Sequence, residues 1–172
     1  MNESKPEIVV GKTVIEKKLN LITFAEVEAQ LKLIENASKI ILSPGGWTLP
    51  QILEHCAQSI EGSLNGFPKN KSKLFQHTIG KIAFSMFDRS NAMNHGLTEA
   101  IPGADFSPGL QLTQALSRLH RAIDQFKNFN GKLYPHFAYG NLSKAQHEKA
   151  HSMHISNHLS SLEIIEHDQK FS

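Results

Sequence analysis

His147, His151, His154 and His158 stand four, three and four residues apart in the stretch HEKAHSMHISNH. On an α-helix, at about 100° per residue, those offsets gather all four imidazoles within an arc of roughly 60°. One helix would then carry a stripe of histidines down a single face. The stripe runs on into Leu162 and Ile165 at the same period, which predicts a face turned toward a core rather than toward water. A neutral imidazole in an apolar interior needs partners, and a divalent ion is the partner that engages several imidazoles at once. His154 and His158, one turn apart, can chelate an ion from one side. The remaining donor of a helical metal site comes from a facing helix. His55 in ILEHC, beside the apolar positions Ile52, Cys56 and Ile60, is the candidate. Three neutral histidines leave coordination positions open, a pattern of catalytic rather than structural sites.

The same spacing also arises on surface helices and among packed core histidines, and His147 and His151 fit that plainer reading as well as a ligand role. His77, His95, His120 and His136 have no paired spacing and are read as outside the site, and His167 as part of a frayed C-terminus. Cys56 points about 100° away from His55 on a helix, so it reads as a small buried hydrophobe. Trp47 is expected to pack on one end of the helices with its indole N–H bonded locally. Glu99, Asp105 and Glu163 qualify as a general base by type alone, and Asp88 and Arg89 read as solvated charges.

The elements that must position these residues are marked by their caps. Thr23 with Glu26, Thr48 with Gln51, and Ser143 with Gln146 all have capping-box spacing. They open predicted helices over about residues 24–37, 49–64 and 143–166. A further helix over about 71–87 contains Gly80, and another begins at Ser107 and Pro108 and runs to about Phe129. Residues 88–108, with Asn, Gly and two prolines, read as a long surface loop. Only residues 8–15 and 39–42 carry a strand signal, so the pattern predicts an all-α domain with an N-terminal arm over residues 1–22.

A chain of 172 residues, 40% hydrophobic and 20% charged, fits one globular domain spanning 1–172. The formal charge is +2 and the basic residues are scattered, which argues against a nucleic-acid partner. No stretch has the length and apolarity of a membrane span or a leader core, so no membrane partner is expected. The single Cys56 excludes an intrachain disulfide and a CxxC motif, and a reducing cytoplasm is the default location.

The segment GGWTLPQILEHCAQSIEGSLNGFP, together with IPGADF (Ile101 to Phe106), HFAYGNLSKAQ and HISNHL, resembles a branch of the DinB-like superfamily whose activity is not settled. The similarity covers roughly residues 24 to 165. It implies an up-up-down-down four-helix bundle, often a homodimer, with a divalent metal (zinc, nickel, iron or manganese) on three histidines. By position these are His55, His154 and His158, with His151 as an additional ligand or a residue of the pocket mouth. Two departures stand out. Relatives carry large apolar or aromatic residues where His147 and His151 stand, and a histidine where Asn157 stands. The resemblance also implies a metal-dependent thiol S-transferase or hydrolase, with a low-molecular-weight thiol or other small molecule as partner. The alternative is a non-catalytic helical bundle stapled by its metal.

Overall fold

The computed structural model describes residues 6–11 and 19–166. His167, residues 12–15 of the predicted extended piece and much of the expected N-terminal arm lie outside them. Four helices share the apolar core: α1 (Phe24–Glu35), α2 (Leu49–Asn65), α5 (Leu112–Asn128) and α6 (Lys144–Leu159). Between α2 and α5 run the short helix α3 (Lys73–Phe75), a π-helical stretch (Gln76–Gly80) and α4 (Lys81–Ser90). The predicted capping boxes form at Thr23, Thr48 and Ser143. At each, the Glu or Gln three residues on takes the cap backbone N–H, which otherwise has no partner.

α2 is the central element. Leu49, Leu53, Cys56, Ala57 and Ile60 are fully enclosed, and α2 packs most extensively on α5 through Leu116, Leu119 and Ile123. Each such aliphatic side chain contributes about 1.5–3 kcal/mol on burial. α2 also carries a buried charge. Glu54 meets the Arg118 guanidinium of α5 at 2.6 Å and accepts from the Ser107 hydroxyl at 2.6 Å and the Ser107 N–H at 3.0 Å. Arg118 also pairs with Glu61 at 2.8 Å. Ser107 is therefore spent on Glu54 rather than on a helix cap, and Gly109 takes φ +68° just behind it. For these reasons α5 begins at Leu112 rather than at Ser107.

The expectation of an all-α domain is corrected by a three-stranded sheet of β1 (Glu7–Val10), β2 (Ala37–Leu42) and β3 (Leu162–Glu166), in the order β1-β2-β3. β1 runs parallel to β2 and β3 antiparallel to it, with Leu42 opposite Leu162 and Ile40 opposite Ile164. The last helix consequently stops at Leu159 rather than near Glu166, and Leu162 and Ile165 do not continue the histidine face. The hydroxyls of Ser160 and Ser161 donate to the carbonyls of Asn157 and His158 at 2.6 and 2.7 Å. That satisfies carbonyls left free at a helix end and turns the chain into a segment, carrying Ile164 and Ile165, that pairs with β2. The sheet thereby ties the end of α6 to the segment leading into α2. Helix α4 also runs past the predicted boundary to Ser90, so the long connection spans residues 91–111.

Candidate metal centre

Helices α2 and α6 pack antiparallel, and polar side chains pair along the seam. His55, Ser59 and Ser63 recur every four residues on α2 and face His154, His151 and His147 of α6 in descending order. The histidine stripe divides between two kinds of partner. At one end Ser59 meets His151 Nδ1 at 3.2 Å, while Ser63 meets His151 Nε2 at 2.8 Å and His147 Nδ1 at 3.1 Å. Two hydroxyls and two neutral imidazoles can be ordered so that every contact has one donor and one acceptor. Phe24 lies parallel to the His151 ring at 6.4 Å, and Phe126 meets it edge-on at 5.8 Å. His147 and His151 are thus hydrogen-bonded core residues, and His151, with both nitrogens engaged by serines, does not join the group below.

At the other end three Nε2 atoms converge. His154 Nε2 lies 3.0 Å from His55 Nε2 and 3.1 Å from His158 Nε2, and one ring nitrogen from each of the three lies within 4.8 Å of the others. Hydrogen bonding cannot hold this group together, because a single lone pair or a single N–H on His154 serves only one neighbour well. The outer nitrogens give no relief: Nδ1 of His55 and of His158 are buried without a partner among the described residues. Burial, reinforced by the neighbouring imidazoles, pushes His55 down to about 4 and His158 to about 2, and holds His154 well below its ordinary value. All three rings are therefore neutral near pH 7 and offer lone pairs. Two nitrogens bonded to one ion at 2.0–2.1 Å, with angles between right and tetrahedral, stand about 2.8–3.4 Å apart. The residues fit a divalent cation. Trp47 packs over the group, edge-on to His55 at 4.8 Å and nearly parallel to His158 at 5.8 Å, with Phe106 behind it at 4.9 Å. The tryptophan expected at the end of the helices thus covers this cluster.

A cavity of about 290 Å³ opens beside His55 and His154. Met93, Ile101 and Phe137 form apolar walls, Lys71 and Glu99 stand among the exposed lining residues, and His95 and His136 also line the cavity. Of the three carboxylates that qualified by type, Glu99 lines this space. Asp105 is exposed and joins α2 only through its carbonyl, which accepts from Gln58, and Glu163 lies exposed on β3.

Two histidines excluded by the sequence reading belong beside this space. His136 sits in a tight turn closed by a two-way backbone pairing with Gly140, which takes φ +74°. Its Nδ1 accepts from the N–H groups of Ala138 and Tyr139 at 3.2 and 3.3 Å, which leaves the proton on Nε2. Burial pushes the ring down to about 3, so it remains a neutral donor. His95 has its ring 5.0 Å from that of His154 and 5.2 Å from that of His158. Both arrive from connections far away in sequence, and no spacing could have flagged them. Ser59 and Ser63 were detectable, since they follow His55 at helical intervals. Cys56 behaves as expected: it is buried in the core, and enclosure pushes its thiol up, far from the thiolate range.

The fold and site define a mostly helical domain with a small sheet and a buried histidine cluster opening on a cavity. Residues 16–164 match the family described as "Protein of unknown function (DUF1569)", and the chain belongs to that family. No curated protein and no solved structure matches it. Among the described residues, no helix is long and apolar enough to cross a membrane.

Proposed function

We propose that the chain holds a divalent metal ion on the Nε2 atoms of His55, His154 and His158, and uses it on a small molecule admitted through the adjoining cavity. The observation that carries this reading is the convergence of three neutral Nε2 atoms at 3.0 and 3.1 Å spacing, with no hydrogen-bond partner among the described residues at the outer nitrogens of His55 and His158. Imidazole donors suit zinc, nickel and iron, and manganese is kept from the resemblance. The DinB-like resemblance supports the same three ligands, and the core shared by α1, α2, α5 and α6 is compatible with a four-helix bundle of that kind.

When bound, such an ion supplies the Lewis acidity that lowers the pKa of a thiol or water it holds. The chain's own groups would orient the reactants. Trp47 and Phe106 shield one side of the histidines from solvent, and His136 presents an N–H to an acceptor atom of the ligand. A space of about 290 Å³ lies at the small end of ligand pockets, which suits a low-molecular-weight thiol or a molecule of similar size. S-transfer to or from such a thiol, or hydrolysis, is the proposed reaction class.

A non-catalytic metal staple is the second reading. It is favoured by the placement of the donors across the α2–α6 seam, where an ion would join the two helices and add its binding energy to folding. Metal analysis of the purified chain tests the common premise: one ion per chain is expected in wild type, with loss in both His55→Ala and His154→Ala. Unchanged metal content in those variants would sink the assignment. Turnover across a panel of thiols and electrophiles separates the enzyme from the staple.

A further inference from the structure

His95 stands apart from the other histidines because its backbone belongs to the long connection between α4 and α5, whereas its ring lies against α6. Its Nδ1 lies 3.1 Å from the carbonyl of Gly96. A carbonyl only accepts, so the ring proton is on Nδ1 and the lone pair on Nε2. That Nε2 is buried and has no partner among the described residues. A metal-binding histidine commonly has this arrangement, with one nitrogen donating to a carbonyl that sets the tautomer and the other left free for the ion. The backbone is held too: Asn157 of α6, the residue before His158, donates its Nδ2 to the His95 carbonyl at 3.2 Å. His95 also stands between two hollows, lining both the cavity over the triad and a second one bounded by Asn91, Leu97 and Ser160.

We propose that His95 is a fourth, loop-borne ligand of the metal centre, engaging through Nε2 when the cavity is empty and giving way to an incoming molecule. This rests on the triad being a metal site. His95 is not in the set whose nitrogens lie within 4.8 Å of one another, so engagement requires its side chain to advance with the loop. The three donors on α2 and α6 are fixed by helix packing, and the one on a loop is the donor that can leave. A closed site at rest and an open site with ligand then follow from one residue, and the Asn157 tether restricts how far the loop strays.

Cobalt(II) is the probe, titrated into the full-length chain stripped of metal. X-ray absorption at the cobalt edge counts the imidazoles, and visible d–d bands report the geometry. Wild type is expected to show four imidazoles and the intense bands of a tetrahedral centre. His95→Ala should show three imidazoles, weaker bands, and cobalt affinity lower by at least the roughly tenfold that loss of even an outer partner of a ligand costs. Added free imidazole should restore the His95→Ala spectrum, which a merely structural role for the ring would not permit. Three imidazoles in wild type would overturn the proposal without recourse to any variant, as would identical affinity and spectra in wild type and His95→Ala. Failure of the underlying metal reading looks different: wild type would take up no cobalt, or His154→Ala would take up as much, and both ideas would fall together.

Discussion

His154 and His151 occupy neighbouring positions on one helical face, yet their surroundings give them different chemistry. His151 has a serine hydroxyl on each nitrogen, whereas His154 has two other imidazole nitrogens at 3.0 and 3.1 Å and no hydroxyl among its hydrogen-bond partners. The first arrangement is complete as it stands, and the second is completed by a cation. A clear division between variants follows. His151→Ala should leave one metal per chain while removing two hydrogen bonds and opening a cavity, a loss of about 2–4 kcal/mol in chemical denaturation of the apo chain. His154→Ala should abolish metal uptake. Metal loss in His151→Ala, with its fold intact by circular dichroism, would place a ligand where a core residue is assigned. Helical spacing gathers all four histidines on one face but cannot tell these roles apart, because the difference lies in the serines and the histidine of α2. The interval from His55 to Ser59 to Ser63 carried that information.

The helices themselves were legible wherever a cap and an apolar stripe agreed, as at Thr23 with Phe24, Val27, Leu31 and Ile34. They were illegible where period was ambiguous. Leu162 and Ile165 fit a helical repeat over a few residues, but the segment carries the β-branched pair Ile164 and Ile165 and β2 offers it an edge, so tertiary pairing decides. The connections hid more, because His95 and His136 enter the cavity from stretches with no regular spacing. Helix pairing also rests on a charge no pattern revealed: enclosed Glu54 relies on Arg118 of α5 and on Ser107. Arg118→Ala should destabilise the chain by about 3 kcal/mol in urea denaturation, since it leaves a buried carboxylate without its cation. The double variant Arg118→Met with Glu54→Gln should regain much of that loss. If Arg118→Ala were neutral, the α2–α5 pair would be ornamental. Gly80 is constrained in another way: a Cβ there would collide with the backbone carbonyl oxygen of Ala138. The π-helical stretch thus presses directly on the turn that presents His136.

The whole molecule concentrates neutral histidines in its interior, and its stability must answer to pH. Burial holds His136 down to about 3 and His147 to about 4, against 6.5 for an ordinary histidine. A folded-state value below the unfolded one means that the unfolded chain binds protons first as pH falls. The stability is complete above about pH 6.5 and is lost as pH drops toward 4 and then 3. At pH 5 each of these two residues costs roughly 2 kcal/mol, so these two alone should lower the melting temperature of the apo chain by about 10 °C between pH 7 and pH 5. A Tm independent of pH over that range would contradict their burial as neutral rings. At the same scale, the sheet and the caps hold α2 and α6 in the register that brings three Nε2 atoms together. The most direct measurement is anomalous diffraction at the metal edge from crystals of the metal-loaded chain. One strong peak is expected within bonding distance of Nε2 of His55, His154 and His158, and a crystal whose anomalous signal lies elsewhere, or that shows no peak there after metal loading, would contradict the assignment of these three ligands.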